Sequence, residues 1–154
     1  MTAPAEGYAE GYVDTRTKIV SAREAARIAA AGATVVIGYF DPMIAWHARW
    51  LTSFKKPDRP LLILIATPEN PILPAPARAE LVASLRVVDH VAESSGELVQ
   101  AITAAGCSVI NLKNQDRELF KDLLELVHSR QSGALAQATE CAHESPAAQG
   151  SDRA

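Results

Sequence analysis

The sequence predicts an α/β fold, a Rossmann-like parallel sheet flanked by helices, and three observations carry that prediction. Apolar, β-branched runs recur at 34–39, 61–66 and 108–112, each bounded by glycine, proline or polar residues, as strands buried on both faces require. Segments with helical spacing or helix caps separate them, and alternation of that kind implies parallel strands with helices packed on the sheet. Gly38-Tyr39-Phe40-Asp41 stands where the first of these strands gives way to a helix. In such sheets ligands gather beyond the carboxyl ends of the strands.

Taken in order, Ser21-Ala22-Arg23-Glu24 is a capping box, Ser21 accepting from the Glu24 N–H while Glu24 reaches back. The alanine-rich stretch after it predicts a helix ending at Gly32, a natural C-cap. The strand 34–39 leads into a helix over 42–54, with Pro42 in the first turn, where its missing donor costs nothing. A polar loop over 55–60 precedes the strand 61–66, and a loop punctuated by Pro68, Pro71, Pro74 and Pro76 follows it. Helices are predicted over 77–87, 96–105 and 116–131, with strands over 89–92 and 108–112 between them. Residues 1–16 form a tail that repeats Ala5-Glu6-Gly7-Tyr8 as Ala9-Glu10-Gly11-Tyr12, residues 17–131 the domain, and 132–154 a second tail; both tails are expected to be disordered.

At 154 residues and 48% hydrophobic the chain is one domain's worth, enough to bury a core without staples. A formal net charge of -3 gives no broad basic surface, so nucleic acid is not an expected partner. No apolar run approaches the roughly 18 residues that cross a bilayer, and no export signal is read at the start of the chain, so neither membrane nor secretion is expected. The two cysteines, Cys107 and Cys141, have no ligand-like spacing and imply no disulfide framework; a cytoplasmic setting is expected.

Function is expected at the turn after the first strand. Glycine lets the backbone approach a ligand, and a helix opening just beyond it aims free N–H groups and a partial positive charge at an anion. Gly38, Tyr39, Phe40 and Asp41 are the candidate nucleotide-binding residues of this turn, and His47 the candidate donor behind it. Asp41 also reads as the N-cap of the helix, and His47 as a partly buried or capping side chain. Met43, Trp46, Trp50 and Phe54 recur at spacings of three and four, a stripe suited to core packing, self-association or base stacking. Arg78 and Arg86 read either as phosphate contacts or as the solvated face of an amphipathic helix.

These residues resemble the signature of the nucleotidylyltransferase superfamily, in its glycerol-phosphate cytidylyltransferase and heptose-phosphate adenylyltransferase branches. The likeness runs from Lys18-Ile19-Val20-Ser21 through Gly38-Tyr39-Phe40-Asp41, His47 and Leu51 to Arg78-Ala79-Glu80-Leu81 and Arg86-Val87-Val88-Asp89-His90-Val91. It implies a three-layer sandwich in which a sugar or polyol phosphate attacks a nucleoside triphosphate with release of pyrophosphate. The family's His-x-Gly-His falls on Ile44, Ala45, Trp46 and His47, so one histidine survives and an indole stands where glycine makes room for the nucleotide. Where the family offers basic residues after the second strand, this chain has Thr67-Pro68-Glu69-Asn70-Pro71. In place of the late Ser/Thr-rich turn it has Asn111-Leu112-Lys113-Asn114-Gln115-Asp116.

The expectation is therefore a nucleotidylyltransferase-like domain with a decayed site, serving as a binding or assembly module linked to sugar-phosphate activation. A working enzyme is the alternative, with His47 donating to the α-phosphate, Asp41 ordering the turn, Arg78 holding a phosphate, and Mg²⁺ as the metal the resemblance implies. A homodimeric structural protein that binds no nucleotide is the third reading, on the strength of the tryptophan stripe.

Overall fold

The computed structural model describes residues 13–143, with side chains to Gly133. Contacts divide the chain into two units, one ending at Arg117 and one beginning at Glu118. Nearly all of the expected tail 1–16, including its tyrosine repeat, lies outside the described residues, as do residues 144–154 of the second tail. The described chain opens on a short 3-10 turn (Thr15–Lys18), which Asp14 caps by accepting from the Arg16 N–H.

The first unit holds a four-stranded sheet. It is built as α1 (Ala22–Ala30), β1 (Thr34–Gly38), α2 (Ala45–Phe54), β2 (Leu61–Ile65), α3 (Ala75–Ala83), β3 (His90–Glu93), α4 (Gly96–Ala104) and β4 (Val109–Asn111), after which α5 (Lys113–His143) begins. All strands are parallel, in the order β3-β2-β1-β4. This is a Rossmann-like α/β sheet, as the alternation predicts.

Side-chain alternation splits the core into two layers. Val36, Phe40, Leu61, Ile63 and Ile65 point to the face covered by α2 and α3. Val35, Ile37, Tyr39, Leu62 and Leu64 point to the face covered by α1 and α4, where Ala25 and Ala29 let α1 lie close to the sheet. Every residue of β2 is buried, which is why its sequence Leu61-Leu62-Ile63-Leu64-Ile65 carries no polar position. Each such side chain contributes about 1.5–3 kcal/mol of burial.

The register aligns the strand ends. Gly38 pairs with Ile65, and Ile65 with Glu93. One further rung continues from each strand: Ala66 N–H to Gly38 O, Ser94 N–H to Ile65 O and Leu112 N–H to Ile37 O, all at 2.8 Å. Tyr39, Thr67, Ser94 and Lys113 therefore emerge along one carboxyl edge.

Several boundaries differ from expectation for identifiable reasons. α2 begins at Ala45 rather than Pro42, and Asp41 is not its cap: the Ile44 N–H is taken by the His47 Nδ1 at 3.1 Å. α3 ends at Ala83 rather than near Val87, because the chain tightens through Leu85 and Val88 before β3, and Lys18 Nζ takes the Leu85 carbonyl at 2.9 Å. α5 begins at Lys113, whose N–H goes to Asn111 Oδ1 at 3.0 Å, and it runs to His143 through residues expected to be a tail. Alanine is the best helix former and no proline lies between Lys113 and Pro146, so the pattern that reads as low complexity also sustains a helix. Among the described residues no helix is long and apolar enough to cross a membrane.

Candidate functional site

The turn after β1 forms a concave cradle of amides. Phe40 takes φ 50°, the left-handed region, unusual for an aromatic residue. Successive N–H groups with one residue in that conformation converge on a single point, the geometry of an anion nest. The Tyr39 and Phe40 N–H groups meet there at 2.5 and 3.3 Å from one atom, the Asp116 Oδ2. The other carboxylate oxygen, Oδ1, lies 2.8 Å from His47 Nε2. The cradle's anion is the protein's own side chain.

Each neighbour of Asp116 is placed by a different element. β4 pairs with β1, so the first turn of α5 passes beside the end of β1 and brings Asp116 to it. Gly38 makes the approach possible, since a Cβ there would stand 2.8 Å from Asp116 Oδ2 and 2.9 Å from the Phe40 ring. His47 projects from the first turn of α2. Its Nδ1 accepts from the Ile44 amide and so carries no hydrogen; Nε2 carries it and donates to Asp116. The pair is accordingly a neutral imidazole on a carboxylate, a hydrogen bond rather than an ion pair. His47 is 2% and Asp116 6% exposed. With both ring nitrogens engaged, His47 has no donor left for a phosphate in this arrangement.

Arg78 is 0% exposed, so it is neither the solvated residue nor the open phosphate contact that its helix position suggests. Its Nη1 donates to Tyr39 O at 2.9 Å and Ala66 O at 2.5 Å, and its Nε to Leu73 O at 3.0 Å. The guanidinium thereby ties off the ends of β1 and β2 where the ladder stops. Arg86, by contrast, is exposed. Asp41 reaches across to the loop before α3 and accepts from the Ile72 and Leu73 N–H groups at 2.7 and 3.0 Å. Of the residues expected to bind nucleotide, Gly38, Tyr39 and Phe40 come together around Asp116 with His47, the catalytic candidate of the active-enzyme alternative, while Asp41 and Arg78 hold the neighbouring loop.

The aromatic stripe borders this closed site. Trp46 and Trp50 stack with centroids 4.4 Å apart, Trp46 meets the His47 ring edge-on at 5.4 Å, and Met43, Trp50 and Phe54 pack on the α2/α3 core. Trp46 thus covers the histidine rather than leaving room for a base against the helix. Magnesium does not fit the cradle: its one carboxylate already accepts three N–H donors, and no group of three or more His, Cys, Asp or Glu able to hold a metal occurs among the described residues.

Asp116 is the position in this cradle that sequence reasoning passes over. It reads as the start of a helix, and only the adjacency of β4 to β1 reveals that it faces the cradle. Comparison with known proteins finds no family model and no curated protein that matches this chain.

Proposed function

We propose that this chain is a nucleotidylyltransferase-like domain that has lost catalysis and serves as a binding or assembly module in a cytoplasmic setting, linked to sugar-phosphate activation. One observation carries the reading: the amides and histidine that would receive a phosphate are bonded to Asp116 instead. A transition state of phosphoryl transfer is stabilised by preorganised donors aimed at its equatorial oxygens. Donors already paired with a buried carboxylate cannot act in that way, and the fixed negative charge of Asp116 would repel a polyphosphate at the same point.

The alternative of an active enzyme requires Asp116 to leave and His47 to give up its contact with Ile44. The third reading, a homodimeric structural protein, draws on the half-buried Trp46–Trp50 stack, since tryptophans are good interface anchors. Incubation with millimolar ATP or CTP, Mg²⁺, and glycerol phosphate or a heptose phosphate is expected to release no pyrophosphate above background. Turnover that scales with protein concentration and is lost in His47→Ala overturns the proposal in favour of the enzyme.

A further inference from the structure

The carboxyl edge of the sheet has a second side, facing α4, and that side is open. A cleft of about 810 Å³ runs along it from β4 to β3, lined in part by Thr67, Ser94, Ser95, Gln100, Thr103 and Lys113. The size matches small-molecule sites. Among the described residues Lys113 is the only ionisable one in the lining, and none of the lining residues is a carboxylate. We propose that this cleft binds a small metabolite bearing one oxyanion and several hydroxyl groups. The proposal rests on the reading that the nucleotide side of the edge is closed, and it names what the binding module binds.

The lining has the chemistry of such a ligand. Lys113 is half-buried at the first residue of α5, its backbone N–H fixed on Asn111 Oδ1, and its ammonium makes no ion pair or hydrogen bond among the described residues. An ammonium without a counter-charge beside a protein wall attracts an anion more strongly than one surrounded by water. Thr67, Ser94 and Gln100 likewise have no side-chain hydrogen bond among the described residues, so donors and acceptors of hydroxyl and amide type remain available. Ser95 and Thr103 are held by local bonds, Ser95 Oγ accepting from the Leu98 N–H at 3.1 Å and Thr103 Oγ1 donating to Val99 O at 2.8 Å. Each keeps hydrogen-bonding capacity beyond that bond, Ser95 an O–H and Thr103 its lone pairs. One positive charge among several hydroxyl partners selects a polyhydroxylated monoanion over a nucleoside triphosphate, whose further charges would find no partner.

The test is an amide chemical-shift titration of the ¹⁵N-labelled full chain with three probes: gluconate, which carries a carboxylate and hydroxyls; inorganic phosphate, an oxyanion alone; and sorbitol, hydroxyls alone. Saturable shifts at Thr67, Ser94, Gln100 and Lys113 are expected with gluconate and not with sorbitol. Phosphate moving the same amides more tightly than gluconate assigns the oxyanion as phosphate, the reverse order as carboxylate. Lys113→Gln is expected to weaken the tighter anion by about fivefold or more, and Thr67→Val to weaken gluconate alone. Equal response to sorbitol, undiminished binding by Lys113→Gln, or no saturable shift at these amides overturns the cleft proposal. Shifts centred on Tyr39 and Phe40 would instead break the reading of a closed cradle, so the two failures are told apart by position.

Discussion

On the α2 side of the sheet's carboxyl edge, Asp116, His47, Arg78 and Asp41 are each satisfied by another part of the chain. On the α4 side, Thr67, Ser94, Gln100 and Lys113 have no such partners among the described residues. Both sets stand within a few residues of the same strand ends, so the topology offers two places for a ligand and the side chains have closed one. A parallel sheet fixes where binding can occur. Whether it does occur depends on whether the polar groups there have already found each other. Closing a site this way adds hydrogen bonds to the fold, because the groups that a ligand could meet are bonded within the chain.

The largest expected effect comes from removing the internal anion. Asp116→Ala leaves the Tyr39 and Phe40 N–H groups and the His47 Nε2–H without acceptors in a buried place. At about 1–3 kcal/mol per orphaned group, partly relieved by water, urea denaturation should show a loss of roughly 4 kcal/mol. Asp116→Asn keeps one oxygen for the amides but sets an NH₂ against His47, and should lose less. Sulfate should then raise the melting temperature of the alanine variant and not that of the wild type, because a ligand stabilises only a state with a vacant site. Equal stabilisation of both proteins would show that the cradle is open as it stands, and the contrast between the two sides would fall.

Arg78→Met comes next. It removes a buried charge and leaves the Tyr39, Ala66 and Leu73 carbonyls without their donor, for an expected loss of roughly 3 kcal/mol in the same measurement. Lysine at this position should recover only part, since a single ammonium cannot reproduce the guanidinium fork. A neutral outcome for methionine would mean that the strand ends are satisfied by water, making the α2 side as wet as the α4 side.

These two residues mark where the sequence was legible and where it was not. Strand–helix alternation, the Ser21 cap and the wholly apolar β2 are local properties, and all were readable from neighbours in the chain. The partners of Asp116 and Arg78 are not local: Asp116 meets Tyr39 across 77 positions and Arg78 meets the same residue across 39. Strand order decides such contacts, and no period in the sequence encodes it. The opening turn was legible as an anion cradle because glycine before an apolar-to-helix transition has few other uses. Its occupant was not, because an acid in a first helical turn has a sufficient local explanation in the helix dipole.

The smallest effect concerns a carboxylate with the opposite kind of partner, at the amino edge of the sheet. Asp89 pairs with the Lys55 ammonium and accepts from the Leu61 N–H at 2.6 Å. Partial burial would push its carboxyl up, but the hydrogen bonds from Lys55 and the Leu61 amide outweigh that and hold it below the usual carboxylate range. A carboxyl lowered on folding adds stability that is present above its unfolded value, near pH 4, and is lost as pH falls through the folded one. Asp89→Asn should therefore be less stable than the wild type at pH 7 by under about 1 kcal/mol, the scale of a solvent-screened pair, with the gap closing as pH falls below the unfolded value and shrinking in high salt. Among the described residues Asp116 is met only by N–H dipoles, from Tyr39, Phe40 and His47, so its contribution should persist in salt that abolishes the Asp89 gap. If both carboxylates respond alike to salt, then Asp116 is held by a charged His47, and the neutral tautomer drawn from its contact with Ile44 is wrong.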